Sequence, residues 1–233
     1  MVTLYGDYDS PFETMKHAPE WQCACGKHHR IETRRALAYL CRAHGMTWLK
    51  TTRLGDCFYD SVCKAVGDCY DESLSVAWLR GHVARRFGDS QLCHYRVMAA
   101  IAESEFDETE YDWLLPLANA GVLSSLEKTR AYLRREGTVY DGACVWADEF
   151  AFVVVGELLK LNVLVVDMER ERTASPYRYL HRSSGGGYVV LKRQRLHFQP
   201  LVDLETRRAY WRAPKELPAV VRALWNIPLG VDE

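Results

Sequence analysis

The stretch Leu54-Gly55-Asp56-Cys57-Phe58-Tyr59-Asp60-Ser61-Val62 holds the residue best placed to act as a nucleophile. A Gly-Asp turn runs into a cysteine that opens an apolar run, with Phe58, Val62, Ala65 and Val66 at helical spacing. Cys57 is therefore expected in the first turn of a helix, where free backbone N–H groups and the helix dipole favour a negative sulfur. A thiol so placed is expected to ionise readily. Its chemistry is attack on a carbonyl, and that chemistry needs a base. Far downstream, Leu196-His197-Phe198-Gln199-Pro200-Leu201 offers a histidine between apolar residues, at what reads as a strand end.

The elements that must position these two residues are legible as alternating patterns. Residues 31–44 read as a helix with Ile31, Leu37, Leu40 and Cys41 on one face and Gly45 as its stop. Met46 to Leu49 form an extended lead-in to the Cys57 turn. After the Cys57 helix, Asp71 can cap a second helix through Phe87, with Leu74, Trp78, His82 and Arg85 in an i, i+4 rhythm. A third helix covers about residues 90–103, and residues 113–135 are helical with a break near Gly121. Val145-Trp146-Ala147-Asp148-Glu149 begins a helix carrying Phe150, Val153, Val154, Leu158 and Leu159. It leads through Asn162 into the β-branched strand Val163-Leu164-Val165-Val166. Tyr177 to Leu180, Tyr188 to Leu191 and His197 to Leu201 read as further strands, with a turn at Ser183-Ser184-Gly185-Gly186-Gly187. The histidine thus ends a small meander laid against helices, an α+β arrangement. From Pro214 to Trp225, Leu217, Val220, Val221 and Leu224 share one face of a packing helix.

Composition narrows the class. With 233 residues, 48% hydrophobic and 26% charged, the chain can bury a core of one domain with additions. A formal net charge of −1 provides no global basic field for nucleic acid. The longest apolar run, Phe150 to Val155, is too short to span a bilayer, and the first residues lack a secretory pattern. The expectation is a soluble cytoplasmic protein. Its eight cysteines are irregularly spaced and read as reduced, with Cys41, Cys63 and Cys93 as small buried hydrophobes. Cys23, Cys25, His28 and His29 have zinc-binding side chains, but their spacing closes poorly around one ion; an ordinary turn, with no metal and no cofactor, is the expectation. Glu103 to Asp112 carries six carboxylates in ten positions with two aromatics among them. Such a run is either a solvated loop or a patch for a basic partner.

Taken together and in order, the motifs resemble the ovarian tumour (OTU) domain cysteine proteases. The resemblance is carried by Gly55-Asp56-Cys57-Phe58-Tyr59 before a helix, by Trp146-Ala147-Asp148-Glu149 leading to Leu161-Asn162-Val163-Leu164-Val165-Val166, and by Val189-Val190-Leu191 followed by His197-Phe198-Gln199-Pro200-Leu201. It covers about residues 46–202. It implies a papain-type fold with a small β-sheet meander packed between helices, preceded by an accessory lobe at 1–45 and followed by a packing helix and tail at 203–233.

The activity implied is removal of ubiquitin or a ubiquitin-like protein from lysines, by a monomer needing no cofactor, nucleic acid or membrane. Cys57 is then the nucleophile, His197 the base, Gly55 and Asp56 the oxyanion loop, and Gln199 the third catalytic residue. Trp146 walls the groove for the substrate's Gly-Gly tail, and Glu105, Asp107, Glu108 and Glu110 lie on a substrate-gripping arm. Three positions depart from the family pattern: Leu54 stands where an aspartate is usual, Asp56 where Asn is frequent, and Gln199 where Asp or Asn is usual. Asp56 is the alternative third residue. The layout between Tyr111 and Tyr140 also departs from the commoner one and points to a viral or bacterial-pathogen member acting in a host cytoplasm. Two other readings use the same residues: a ubiquitin-binding module of weak activity, and a polyprotein-processing protease.

Overall fold

A computed structural model describes residues 20–22, 28–30, 41–42, 45–52, 55–70, 74–105, 111–137, 145–167, 175–179, 186–194, 197–225 and 227–229. The expectations placed on Cys23, Cys25, Leu54, Asp71, Asp107, Glu108 and Glu110 lie outside these residues. So does most of the helix expected over 31–44, of which Cys41 and Arg42 are helical.

The chain divides into two compact units. One comprises Lys50–Val155 with Leu196–Phe198; the other comprises Met1–Leu49, Gly156–Arg195 and Gln199–Glu233.

The first unit is helical. Helix α1 (Cys57–Val66) buries Phe58, Val62, Ala65 and Val66, the stripe its spacing predicts, and also Cys57, Tyr59, Asp60 and Ser61. Helix α2 (Val76–Arg86) begins at Ser75, whose Oγ accepts the Trp78 N–H at 3.2 Å. Its buried face is Leu79, Arg80, Val83 and Ala84. This corrects the face expected from Leu74, Trp78, His82 and Arg85. Leu79 and Val83 are wholly buried and set the phase, while the rings of Trp78 and His82 stack 4.1 Å apart on the half-buried side. Helix α3 (Asp89–Ser104) follows directly. Helices α4 (Leu115–Asn119) and α5 (Leu126–Leu133) are separated by Gly121, whose φ of +67° places it in the left-handed region where a side chain is disfavoured. The seven residues Glu149–Val155 that open α6 (Glu149–Leu159) close this unit.

The second unit carries a mixed sheet and its helical cover. Strand β1 (Glu20–Gln22) pairs antiparallel with β2 (His28–Arg30) as a separate two-stranded ribbon. The main sheet has the order β3-β7-β6-β4-β5, with β8 paired to β6. Its strands are β3 (Met46–Trp48), β4 (Leu161–Asp167), β5 (Ser175–Tyr179), β6 (Gly187–Gln194), β7 (His197–Asp203) and β8 (Tyr210–Trp211). The α+β class and the small sheet match expectation, but the strand order is not a simple meander. Strand β6 pairs in parallel with β4, Val163 standing opposite Val189, and β5 takes the edge. A parallel pair requires a crossover, so β5 cannot lie between its neighbours in sequence. His197 opens β7, as the strand read from His197 to Leu201 expects.

One face of this sheet buries Met46, Leu164, Val166, Val190 and Leu201 against Leu217, Val220, Val221, Leu224 and Trp225 of the C-terminal segment. The helix there, α7 (Ala219–Leu224), buries Val220, Val221 and Leu224 of the predicted face; Leu217 and Trp225 are buried too but flank it, because the helix expected from Pro214 begins only after Pro218. Among the described residues no helix is long and apolar enough to cross a membrane.

Candidate active site

Cys57 is the first residue of α1, as its pattern requires, and is 1% exposed. It follows Gly55, whose φ of +90° only glycine adopts without strain. Burial changes its expected chemistry. Desolvation pushes the Cys57 thiol up to about 11, and the neighbouring Asp56 charge adds to this. Hydrogen bonds from backbone groups of Phe198, Phe58 and Cys57 itself pull the other way. The expectation that the helix start favours a negative sulfur is therefore corrected: loss of water outweighs the helix terminus. Cys63 on the same helix, without the Phe198 contact, is pushed up to about 12 by burial and by Asp60. Cys57 needs a base to act at neutral pH.

The candidate base, His197, is linked to Cys57 through the residues that follow each of them. Phe58 comes after Cys57, and Phe198 after His197. Their rings lie 5.8 Å apart at 75°, and Phe152 of α6 joins both at 4.5 and 5.4 Å. Edge-to-face packing of this kind is the preferred aromatic geometry. Phe58 is wholly buried, and Phe152 and Phe198 nearly so. Burial alternates over the first four residues of β7, which leaves His197 part-exposed beside the buried Phe198. A hydrogen bond from the Phe198 backbone to the Cys57 sulfur sets the amide following His197 against that sulfur.

Thr51, which the sequence did not single out, meets the same residues. Its Oγ1 lies 3.4 Å from His197 Nε2 and donates to the Phe198 carbonyl at 2.5 Å.

Asp56 is committed elsewhere. Its Oδ1 accepts Arg80 Nε at 2.6 Å and its Oδ2 accepts the Gly137 N–H at 2.7 Å. Arg80 is wholly buried. Its Nη2 donates to the Gly55 carbonyl at 2.9 Å, its Nη1 to the Leu133 and Val145 carbonyls at 3.2 Å, and it stacks on Tyr59 at 4.7 Å. One guanidinium thus holds both residues of the candidate oxyanion turn and the start of the Val145–Asp148 loop. The sequence held one signal for it, a lone arginine inside the apolar stripe of Leu79, Val83 and Ala84.

Trp146 is half-buried on that loop, between Val145, anchored by Arg80, and Asp148. Asp148 caps α6 by accepting the Ala151 N–H at 3.1 Å and accepts the Tyr95 hydroxyl at 2.8 Å. Gln199 belongs to the sheet unit, where its Nε2 donates to the Leu49 carbonyl at 3.4 Å. Glu105 is exposed just after α3. Among the described residues no three His, Cys, Asp or Glu side chains gather to hold a metal ion.

No protein-family model matches the chain, and no curated protein sequence matches it. Solved structures similar to it include an ovarian tumour (OTU) domain in complex with ubiquitin, at 12% identity and TM-score 0.46, over 77% of this chain and 83% of that one. The OTUD1 OTU domain is similar at 18% identity and TM-score 0.42, over 74% and 95%. An OTU deubiquitinase from Wolbachia pipientis wMel is similar at 13% identity and TM-score 0.40, over 70% and 92%.

Proposed function

We propose that the chain is a cysteine isopeptidase that releases ubiquitin or a ubiquitin-like protein from lysine. The observation that supports the chemistry is the Phe198 hydrogen bond to the Cys57 sulfur, from the residue that directly follows His197. The motif order from Gly55 to Leu201 supports the substrate class.

In this reading His197 takes the Cys57 proton as the sulfur attacks the carbonyl of the terminal glycine. Backbone N–H groups of Cys57 and the Gly55-Asp56 turn receive the oxyanion, each well-aimed donor contributing roughly 3 kcal/mol. His197 returns the proton to the departing lysine amine, forming a thioester. Water, deprotonated by His197, then hydrolyses the thioester and restores the thiol. Trp146 walls the slot for the thin Gly-Gly tail, and Gln199 is a further candidate to orient the imidazole.

The near-complete burial of Cys57 and its raised pKa favour one competing reading, a ubiquitin-binding module of weak activity. A ubiquitin probe bearing a C-terminal electrophile separates the two. Crosslinking by the wild type and none by Cys57→Ala supports the isopeptidase. Binding without crosslinking supports the module.

A further inference from the structure

We infer that Thr51 is the positioning residue that holds the His197 imidazole, accepting its Nε2–H so that Nδ1 is left to exchange the proton with Cys57. The inference rests on His197 being the base of the proposed reaction. A hydroxyl has one proton to give, and Thr51 gives it to the Phe198 carbonyl at 2.5 Å. Toward Nε2, at 3.4 Å, the same oxygen therefore presents a lone pair. A lone pair there selects the tautomer with hydrogen on Nε2.

The loop that carries Thr51 is clamped on both sides by the helix that begins with Cys57. Lys64 Nζ donates to the Lys50 carbonyl at 3.0 Å, and the Thr52 N–H donates to Asp60 Oδ2 at 2.6 Å. Lys64 and Asp60 are themselves paired at 2.8 Å. Helix α1 thus sets the sulfur with its first residue and the threonine loop with its later turns. The charged side chains of α1, its preceding turn and α2 nearest this arrangement are engaged with one another: Asp56 with Arg80, and Asp60 with Lys64. The Thr51 hydroxyl supplies what the sequence reading looked for in Gln199 or Asp56.

The test reads alkylation of Cys57 by iodoacetamide against pH, following the Cys57 peptide by mass spectrometry, so that it does not depend on ubiquitin recognition. An acceptor on Nε2 stabilises the protonated ring. Thr51→Val is therefore expected to slow alkylation at neutral pH roughly tenfold and to move the acid limb, which His197 sets, about one pH unit lower. Thr51→Ser should restore both. A slower rate with an unmoved limb would reduce Thr51 to a packing role and overturn the inference.

Should Thr51→Val fail to fold, the neutral tautomer of His197 decides the matter in Cys57→Ala, read from imidazole nitrogen shifts. Hydrogen on Nε2 is expected; hydrogen on Nδ1 would overturn the inference. If the limb moves as expected but the wild type ignores ubiquitin substrates and probes, the isopeptidase reading fails and the positioning role stands.

Discussion

The rings of Phe58 and Phe198 meet edge to face at 5.8 Å, and each follows directly one member of the candidate catalytic pair. This contact joins residues 140 positions apart through their immediate neighbours, so packing and reactivity are linked at one point. Removing either ring empties a filled site shared with Phe152. Phe198→Ala is expected to cost about 3–5 kcal/mol in denaturant unfolding and to lower probe labelling at temperatures where the variant is still folded. Phe198→Leu should cost less and keep partial labelling. Full labelling by a folded Phe198→Ala would show that the aromatic contact does not set the pair.

Cys57→Ala is expected to abolish cleavage of ubiquitin conjugates and leave the melting temperature nearly unchanged. His197→Ala should do almost the same. The double variant should be no worse than either alone, because a nucleophile and its base act as a unit. Multiplied losses in kcat/KM would show that the two act independently.

Among the described residues Arg80 donates to four acceptors, whereas the Asp56 carboxylate receives two donors. Breaking a buried pair from the arginine side therefore orphans more groups. Arg80→Ala is expected to destabilise by about 3–5 kcal/mol. Asp56→Asn, which keeps an acceptor for Arg80, should cost less. Urea unfolding of both variants checks the order, and the reverse order would remove Arg80 from its role as the centre of this network.

The Asp60 carboxyl is raised by its burial, but hydrogen bonds from Lys64 and the Thr52 backbone outweigh this and hold it below its ordinary value. A lowered folded-state pKa stabilises above the unfolded value, near pH 4, and that contribution is lost as pH falls through the folded value. Asp60→Asn should therefore be less stable than wild type at pH 7, with the difference shrinking below about pH 4. A difference that stayed constant from pH 7 to pH 3 would contradict the assignment.

The acidic run is expected to act as a sum. Single exposed pairs contribute only about 0.2–1 kcal/mol, so changing Glu105 alone to Gln should matter little. Changing Glu105, Asp107, Glu108 and Glu110 together to their amides should raise KM for ubiquitin substrates with kcat nearly unchanged, and should flatten its rise with salt. Equal salt dependence in the two proteins would return the run to a solvated loop.

Several features needed only the sequence. The helix start at Cys57, the β-branched strand after Asn162 and the buried face of the C-terminal helix follow from local spacing, because period and turn chemistry are set by near neighbours. Three other features were decided by tertiary structure. The rise in the Cys57 pKa is one, because the helix terminus is local while desolvation depends on everything packed around the sulfur. The phase of α2 follows Leu79 and Val83, which are wholly buried, and no local rhythm ranks them above Trp78 and His82. Thr51 gave no signal at all. Its partners are 146 and 147 positions away, and only the approach of His197 and Phe198 to Thr51 turns an ordinary hydroxyl into a candidate part of the site.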